Sequence, residues 1–252
     1  MRLGVSRPSV AYELKYRRQL EAAVAAMNAD VLKELKSYQS QYAYDSAGPL
    51  VTLFSKLRDK WYKRFDKIGR ELALWFADAT DRRTKSQIRK KLREVGWTLK
   101  PSYTDEQKKL ISEIVKSNVD MIHTIPQKYL AGIQEVITQA FIEGGNMERM
   151  TKIIERAGRV STNRAALIAR DQTNKATQQL FTANAEAYGA RKGRWIHVPG
   201  KYSSRRTHVK MDGQIFDLKV GIYDSEVGRY VKPGELVYCN CQYEFILPGF
   251  DN

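Results

Sequence analysis

The chain has 252 residues, 42% of them hydrophobic and 28% charged, so it can build one large core or two small ones, and wholesale disorder is excluded. The 43 Lys and Arg against 28 Asp and Glu leave a net charge of +15, which points to an acidic partner such as nucleic acid, an anionic surface or an acidic protein. Two cysteines, Cys239 and Cys241, exclude a disulfide framework and fit synthesis in a reducing cytoplasm; the first eight residues lack the apolar run of a secretion signal, and no stretch approaches the roughly 18 apolar residues of a membrane span.

Most of the positive excess, about +11, lies in residues 1–118. The segment from Val10 to Leu35 is rich in Ala, Leu, Glu and Lys without Pro or Gly, which predicts a helix. A turn is expected at Ser46-Ala47-Gly48-Pro49. Leu53, Leu57, Trp61, Phe65, Ile68 and Leu72 then recur at spacings of three and four, one apolar face of a second helix, with Lys60, Lys63, Arg64 and Lys67 mostly off that face. A third amphipathic helix is expected over 81–95. Ile88, Leu92 and Val95 form its apolar stripe, Arg82, Lys85, Arg89 and Arg93 a basic one, and Arg83, Lys90 and Lys91 add to the charge. Gly96 and Pro101 end it, and a boundary is placed near 97–103. This divides the chain into a basic helical region, 1–100, and a second domain, 101–252, helical to about 190 and β-containing over 194–248.

In the second domain Thr104 and Gln107 have the spacing of a capping box. Leu110, Ile114 and Met121 line the inner face of the helix that follows. Pro126 is expected to interrupt it before a further helix carrying Leu130, Ile133 and Ile137, stopped by Gly144-Gly145. A shorter helix is expected over 147–157 and a long Ala-rich one from Ser161 to Tyr188, with Gly189 as its stop. Trp195–Val198, Gln214–Asp217 and Val237–Leu247 read as short strands between Gly, Pro, Ser and Asp turns. The fold class is therefore mainly α with a small C-terminal α+β part.

Three constellations carry chemistry. Lys60, Lys63, Arg64 and Lys67 form one basic set and Arg82, Arg83, Lys85, Arg89, Lys90, Lys91 and Arg93 another, each a candidate for sequence-independent contact with phosphates or a solvated helix face. Trp61 and Phe65 belong to the apolar stripe and are expected in the core. His197, His208, Cys239 and Cys241 are a legitimate zinc ligand set; the alternative is a packed β-element with buried free thiols. His208 with Asp212 allows a general base or a nuclease centre, but residues 195–217 offer only Asp212 and Asp217 as carboxylates for a hard metal, and no P-loop, G-x-S-x-G or H-E-x-x-H motif is present. A turn fixed by His208, Asp212 and Gly213 is the expected role.

The run R-A-A-L-I-A-R-D-Q-T-N-K-A at 164–176 is followed in order by Gly193-Arg194-Trp195, Arg205-Arg206-Thr207-His208, Asp212-Gly213, Pro233-Gly234-Glu235 and Cys239-Asn240-Cys241. This series resembles the phage head-morphogenesis family, the minor head proteins of the Mu F and SPP1 type, over roughly 100–246. The residues that carry the resemblance are Arg164, Arg170, Trp195, Arg205, His208, Asp212, Gly213, Cys239 and Cys241. Gln172 stands where family members often have Glu, and Asn240 and Gln242 where they often have Arg; residues 1–95 fall outside the resemblance. The resemblance implies a non-enzymatic minor capsid protein that needs no cofactor. It implies association with the portal, with major capsid or scaffold protein as further partners, and a place inside the virion near the portal after synthesis in the host cytoplasm. Non-specific contact with double-stranded DNA is compatible with the charge; no membrane partner is expected. The rival readings are a standalone DNA-binding module and a metal-dependent nuclease.

Overall fold

A computed structural model describes residues 4–41, 48–143, 147–200 and 203–247. Four long helices, α1 (Val10–Gln41), α2 (Gly48–Glu94), α3 (Asp105–Ile142) and α4 (Met147–Ala187), precede a C-terminal part of short strands. That part comprises β1 (Lys192–Ile196), the short helix α5 (Arg206–Lys210), β2 (Ile215–Asp217), β3 (Ile222–Asp224), β4 (Arg229–Val231) and β5 (Gln242–Ile246). The mainly α fold with a small α+β part is as the sequence predicts.

The helices are fewer and longer than expected. The stripes of 53–72 and 81–95 belong to one helix, because the intervening Ala73–Thr80 holds no Gly or Pro and keeps Ala73, Phe76, Ala77 and Ala79 buried at helical spacing. Pro126 lies inside α3 and does not end it; just before it the Thr124 hydroxyl donates to the Met121 carbonyl at 2.6 Å. The two helices expected over 147–188 are likewise one. Gly158 within it is a point of close approach, since a Cβ there would lie 2.6 Å from Asn28 Oδ1. The turn at 46–47 and the stop at Gly144-Gly145 lie outside the described residues.

Helix ends follow the sequence signals more closely. The Thr104 amide donates to Gln107 Oε1 (2.9 Å) and the Gln107 amide to Thr104 Oγ1 (3.3 Å), the reciprocal box that opens α3. At the end of α4 the Ala190 amide reaches back to the Ala185 carbonyl and Gly189 to that of Glu186. Gly189 takes φ +90°, a conformation closed to most side chains. Trp97 and Gly96 close α2 with the same pair of bonds, to Leu92 and Arg93.

The chain divides into two compact units. One comprises Met1–Tyr12, Trp75–Val115 and Asp171–Asn252, the other Glu13–Leu74 and Lys116–Arg170. The boundary expected near residue 100 falls inside the first unit.

In the second unit α1 buries Tyr16, Leu20, Val24, Met27, Val31, Leu35 and Tyr38; α2 buries Phe54, Leu57, Trp61, Phe65 and Leu72; α3 buries Ile122, Leu130, Ile133, Ile137 and Phe141. Trp61 and Phe65 are core residues, as their place on the stripe predicts. Polar ties between helices cross this core: Tyr16 Oη donates to Asn118 Oδ1 and Tyr129 Oη to Asn28 Oδ1, both at 2.8 Å.

In the first unit the sheet has the order β2-β1-β5, all antiparallel, and β3 and β4 form a separate hairpin. Ile88 and Leu92 of α2 and Phe181 and Ala185 of α4 share one core with Trp195, Phe216, Tyr243 and Phe245 of the sheet. Gly193 sits in β1 opposite Phe216 and Phe245, and a Cβ there would meet Tyr243, Leu218 and Phe216 at 2.8–3.1 Å. Gly193→Ala is therefore expected to destabilise the protein by about 1–3 kcal/mol through overpacking, read as a lower urea midpoint at unchanged slope.

Candidate metal centre and basic surfaces

Three segments of the first unit converge on the cysteine pair. The first is the end of β1. Trp195 is fully buried, its carbonyl accepts from the Gly213 amide at 2.9 Å, and the following His197 amide donates to Asp212 Oδ1 at 2.8 Å. Asp212 and Gly213 (φ +77°) thus close the turn between α5 and β2, the role expected of them. The second segment is α5, which carries His208 into the core, where its ring meets that of Trp195 edge to face at 5.3 Å. Just before it, Arg205 Nη2 donates to the Val237 carbonyl at 3.0 Å.

The third segment is the loop through Cys239-Asn240-Cys241. Asn174 of α4 holds it, donating from Nδ2 to the Cys239 carbonyl (3.3 Å) and to Asn240 Oδ1 (2.9 Å). Tyr238, beside Cys239, has φ +64°, a strained conformation for a residue with a Cβ.

Within this frame His208 Nδ1 lies 3.4 Å from Cys239 Sγ and 3.6 Å from Cys241 Sγ. His197 Nδ1 lies 3.6 Å from Cys241 Sγ. The ligand atoms of His208, Cys239 and Cys241 all fall within 4.8 Å of one another, and all three residues are buried; His197 is half-buried and touches this triad through Cys241. Both cysteines are free thiols. The Cys241 thiol, and after it His208, holds Cys239 far below the usual thiol range against the effect of burial; the hydrogen bond to Cys239, with burial behind it, pushes Cys241 up.

On the far side of the His208 ring, Nε2 lies 3.2 Å from Asp224 Oδ2. Asp224 has no solvent exposure, the contact lacks hydrogen-bond geometry, and neither atom has a hydrogen-bond partner among the described residues. The carboxylate that faces His208 is thus Asp224 of β3, and Asp212 is engaged with the His197 amide. Sequence reasoning missed Asp224 because a three-residue strand with the burial pattern half-buried, exposed, buried gives no period to read.

The remaining residues of the resemblance are spread through both units. Arg164 donates to Thr124 Oγ1 at 2.6 Å in the second unit, and Arg170 is half-buried there. Two concavities of about 710 and 740 Å³ share Glu106, Gln107, Thr182, Glu186 and Lys232 in their linings; neither lining includes His or Cys.

The basic sets are partly neutralised by their own helices and neighbours. Lys60 pairs with Asp30 (2.8 Å), Arg82 with Asp78 (2.7 Å), Lys85 with Asp81 (2.6 Å) and Lys91 with Glu94 (2.7 Å). Arg64 lies over the Trp61 ring at 5.0 Å. Arg83 and Lys85 are half-buried, off the exposed face. Lys63, Lys67, Arg89, Lys90 and Arg93 are exposed and make no ion pair among the described residues.

Residues 131–244 match the family model of the phage Mu protein F like proteins. The match takes in the whole series from Arg164 to Cys241, so the resemblance read from those residues is borne out across that region. An uncharacterized protein of Haemophilus influenzae is 26% identical to the chain over 252 residues, covering 95% of this chain and 54% of that relative, so the chain spans about half of the relative's length. No solved structure matches the chain.

The geometry assigns Asn174 a positioning role for the cysteine loop. Asn174→Ala removes the donor to a buried carbonyl and is expected to cost about 1–3 kcal/mol. It should also raise the rate at which Cys239 and Cys241 react with a thiol reagent in the native protein; an unchanged rate would show that the loop is held without it.

Proposed function

We propose that the chain is a minor capsid protein of a phage-type head, an interaction protein without catalytic activity that associates with the portal and the packaged DNA during assembly, packaging or release. The family match over residues 131–244 carries this reading. The +15 charge and the exposed, unpaired Lys63, Lys67, Arg89, Lys90 and Arg93 support contact with a polyanion. Such contact neutralises phosphates without reading bases, so it is salt-sensitive and indifferent to sequence. Among the described residues no helix is long and apolar enough to cross a membrane.

On this reading the protein lies inside the head near the portal, with capsid or scaffold protein as additional neighbours. Co-expression with a portal protein encoded beside it, followed by size-exclusion chromatography at moderate salt, is expected to give co-elution in a defined ratio. Separate elution with nucleic acid retained on this chain would favour a standalone DNA-binding module.

The DNA interaction has its own test. Arg82, Arg89 and Arg93 are exposed on α2, so converting all three to Glu should leave the circular dichroism spectrum unchanged. DNA affinity should fall, and the slope of log affinity against log salt should flatten by roughly 0.9 for each phosphate that is no longer neutralised. An unchanged slope would place the DNA-binding surface elsewhere.

A further inference from the structure

We propose that Cys239, Cys241 and His208, with His197 as fourth ligand, form a structural Zn²⁺ site in the C-terminal β-containing region. This site is independent of the portal reading, since its role is to hold the region together.

The separations within the triad suit a tetrahedral ion, and His197 adjoins it through Cys241. With Zn–S near 2.3 Å and Zn–N near 2.0–2.1 Å, such a site separates a sulfur from a nitrogen by about 3.6 Å. The three thiol–imidazole separations are 3.4, 3.6 and 3.6 Å. An ordinary S–H···N hydrogen bond has a similar length, so length alone does not decide. The convergence does more: His208 Nδ1 faces both sulfurs, and a cation between them would engage all three atoms at once.

The other edge of the His208 ring is also prepared. Metal-bound histidines commonly face a carboxylate with the ring nitrogen that does not hold the metal. Asp224, buried and 3.2 Å away, stands where the carboxylate of a carboxylate–histidine–zinc arrangement stands.

Donor chemistry and access point the same way. Two thiolates with imidazoles favour zinc over magnesium or calcium, whose preferred ligands are oxygens. Asn240, between the cysteines, is turned away toward Asn174 and the Pro199 carbonyl, leaving the sulfurs facing the histidines. A cavity of about 200 Å³ lined by His197, His208, Cys239 and Cys241 gives an ion an entry path. The site would join the end of β1, α5 and the cysteine loop.

The full chain, expressed with added zinc and desalted, is expected to hold one zinc per chain by elemental analysis. After removal of the metal, Co²⁺ should produce a thiolate-to-cobalt charge-transfer band and the intense d–d absorption of tetrahedral cobalt, both abolished by adding zinc. Substoichiometric zinc together with no charge-transfer band overturns the proposal, and this result needs no variant. Cys239→Ser should lose the band; a band of full strength in Cys239→Ser and Cys241→Ser alike would mean that cobalt binds elsewhere, which also overturns it. Asp224→Asn keeps all four ligands and is expected to weaken cobalt binding roughly 10–100-fold. His197→Ala should weaken it as well, and unchanged affinity in that variant would overturn the assignment of the fourth ligand.

Discussion

The first unit depends on one requirement: three amides buried along the C-terminal half of α4 must find partners. Asn174, Gln178 and Asn184 lie on a helix whose own backbone bonds are complete, so their side chains must be satisfied by other segments. Each finds a different one. Asn174 takes the cysteine loop. Gln178 takes Ser6, donating to its carbonyl at 3.0 Å and accepting from its hydroxyl. Asn184 takes α2 through Asp81 (3.1 Å) and Thr84 (2.8 Å), and accepts from Tyr103 ahead of α3 at 3.0 Å. Each bond is worth about 1 kcal/mol net, but leaving a buried amide unpaired costs about 1–3 kcal/mol. The apolar core supplies attraction without direction; the amides specify which segment lies where.

The cysteine–histidine cluster follows from that placement. Ser6, held by Gln178, accepts from the Tyr243 amide and donates its own to the Tyr243 carbonyl, adding a short N-terminal segment to β5. Asn174 sets the height of the loop immediately before β5. Gly234, where a Cβ would lie 2.6 Å from Gln178 Cγ, lets the preceding loop close over the same helix. With the loop fixed at both ends, Trp195 and His208 pack beneath it, and the two sulfurs are left facing imidazole nitrogens. Within the first unit the members of the series that resembles the head-morphogenesis family, from Asp171 onward, are in this sense one assembly, while Arg164 and Arg170 belong to the second unit.

Much of this is legible in the sequence, for reasons that differ by element. Amphipathic periodicity locates the helices, and the Thr104–Gln107 box and Gly189 mark ends, because these signals depend on neighbours three or four residues away. The lengths of the helices are not legible. Pro126 and Gly158 are local helix breakers, yet both lie inside helices, and the need for a glycine at 158 comes from Asn28, 130 residues away in sequence. Residue type alone marks His197, His208, Cys239 and Cys241 as a set, and the structure does gather them, with His197 outside the tight triad. Asp224 is invisible in the sequence because its importance comes entirely from the residue it faces. The basic stripes look stronger in the sequence than in the fold for a related reason: counting cations along a helix misses the carboxylates of Asp30, Asp78, Asp81 and Glu94, which reduce the charge actually presented.

The contact between Ser6 and Tyr243 spans 237 positions of the chain. Residues 5–6 leave the ribosome long before β5 does, so the first unit cannot complete its sheet until β5 has emerged. The second unit needs nothing beyond Arg170 and can form earlier. The nascent protein therefore passes through a stage in which α1 to α3 have begun to pack while the edges of residues 5–6 and the apolar face of α2 near Ile88 and Leu92 wait uncovered. Folding order in this molecule is set by where a partner lies along the messenger, and the last dozen or so described residues act as the closing piece.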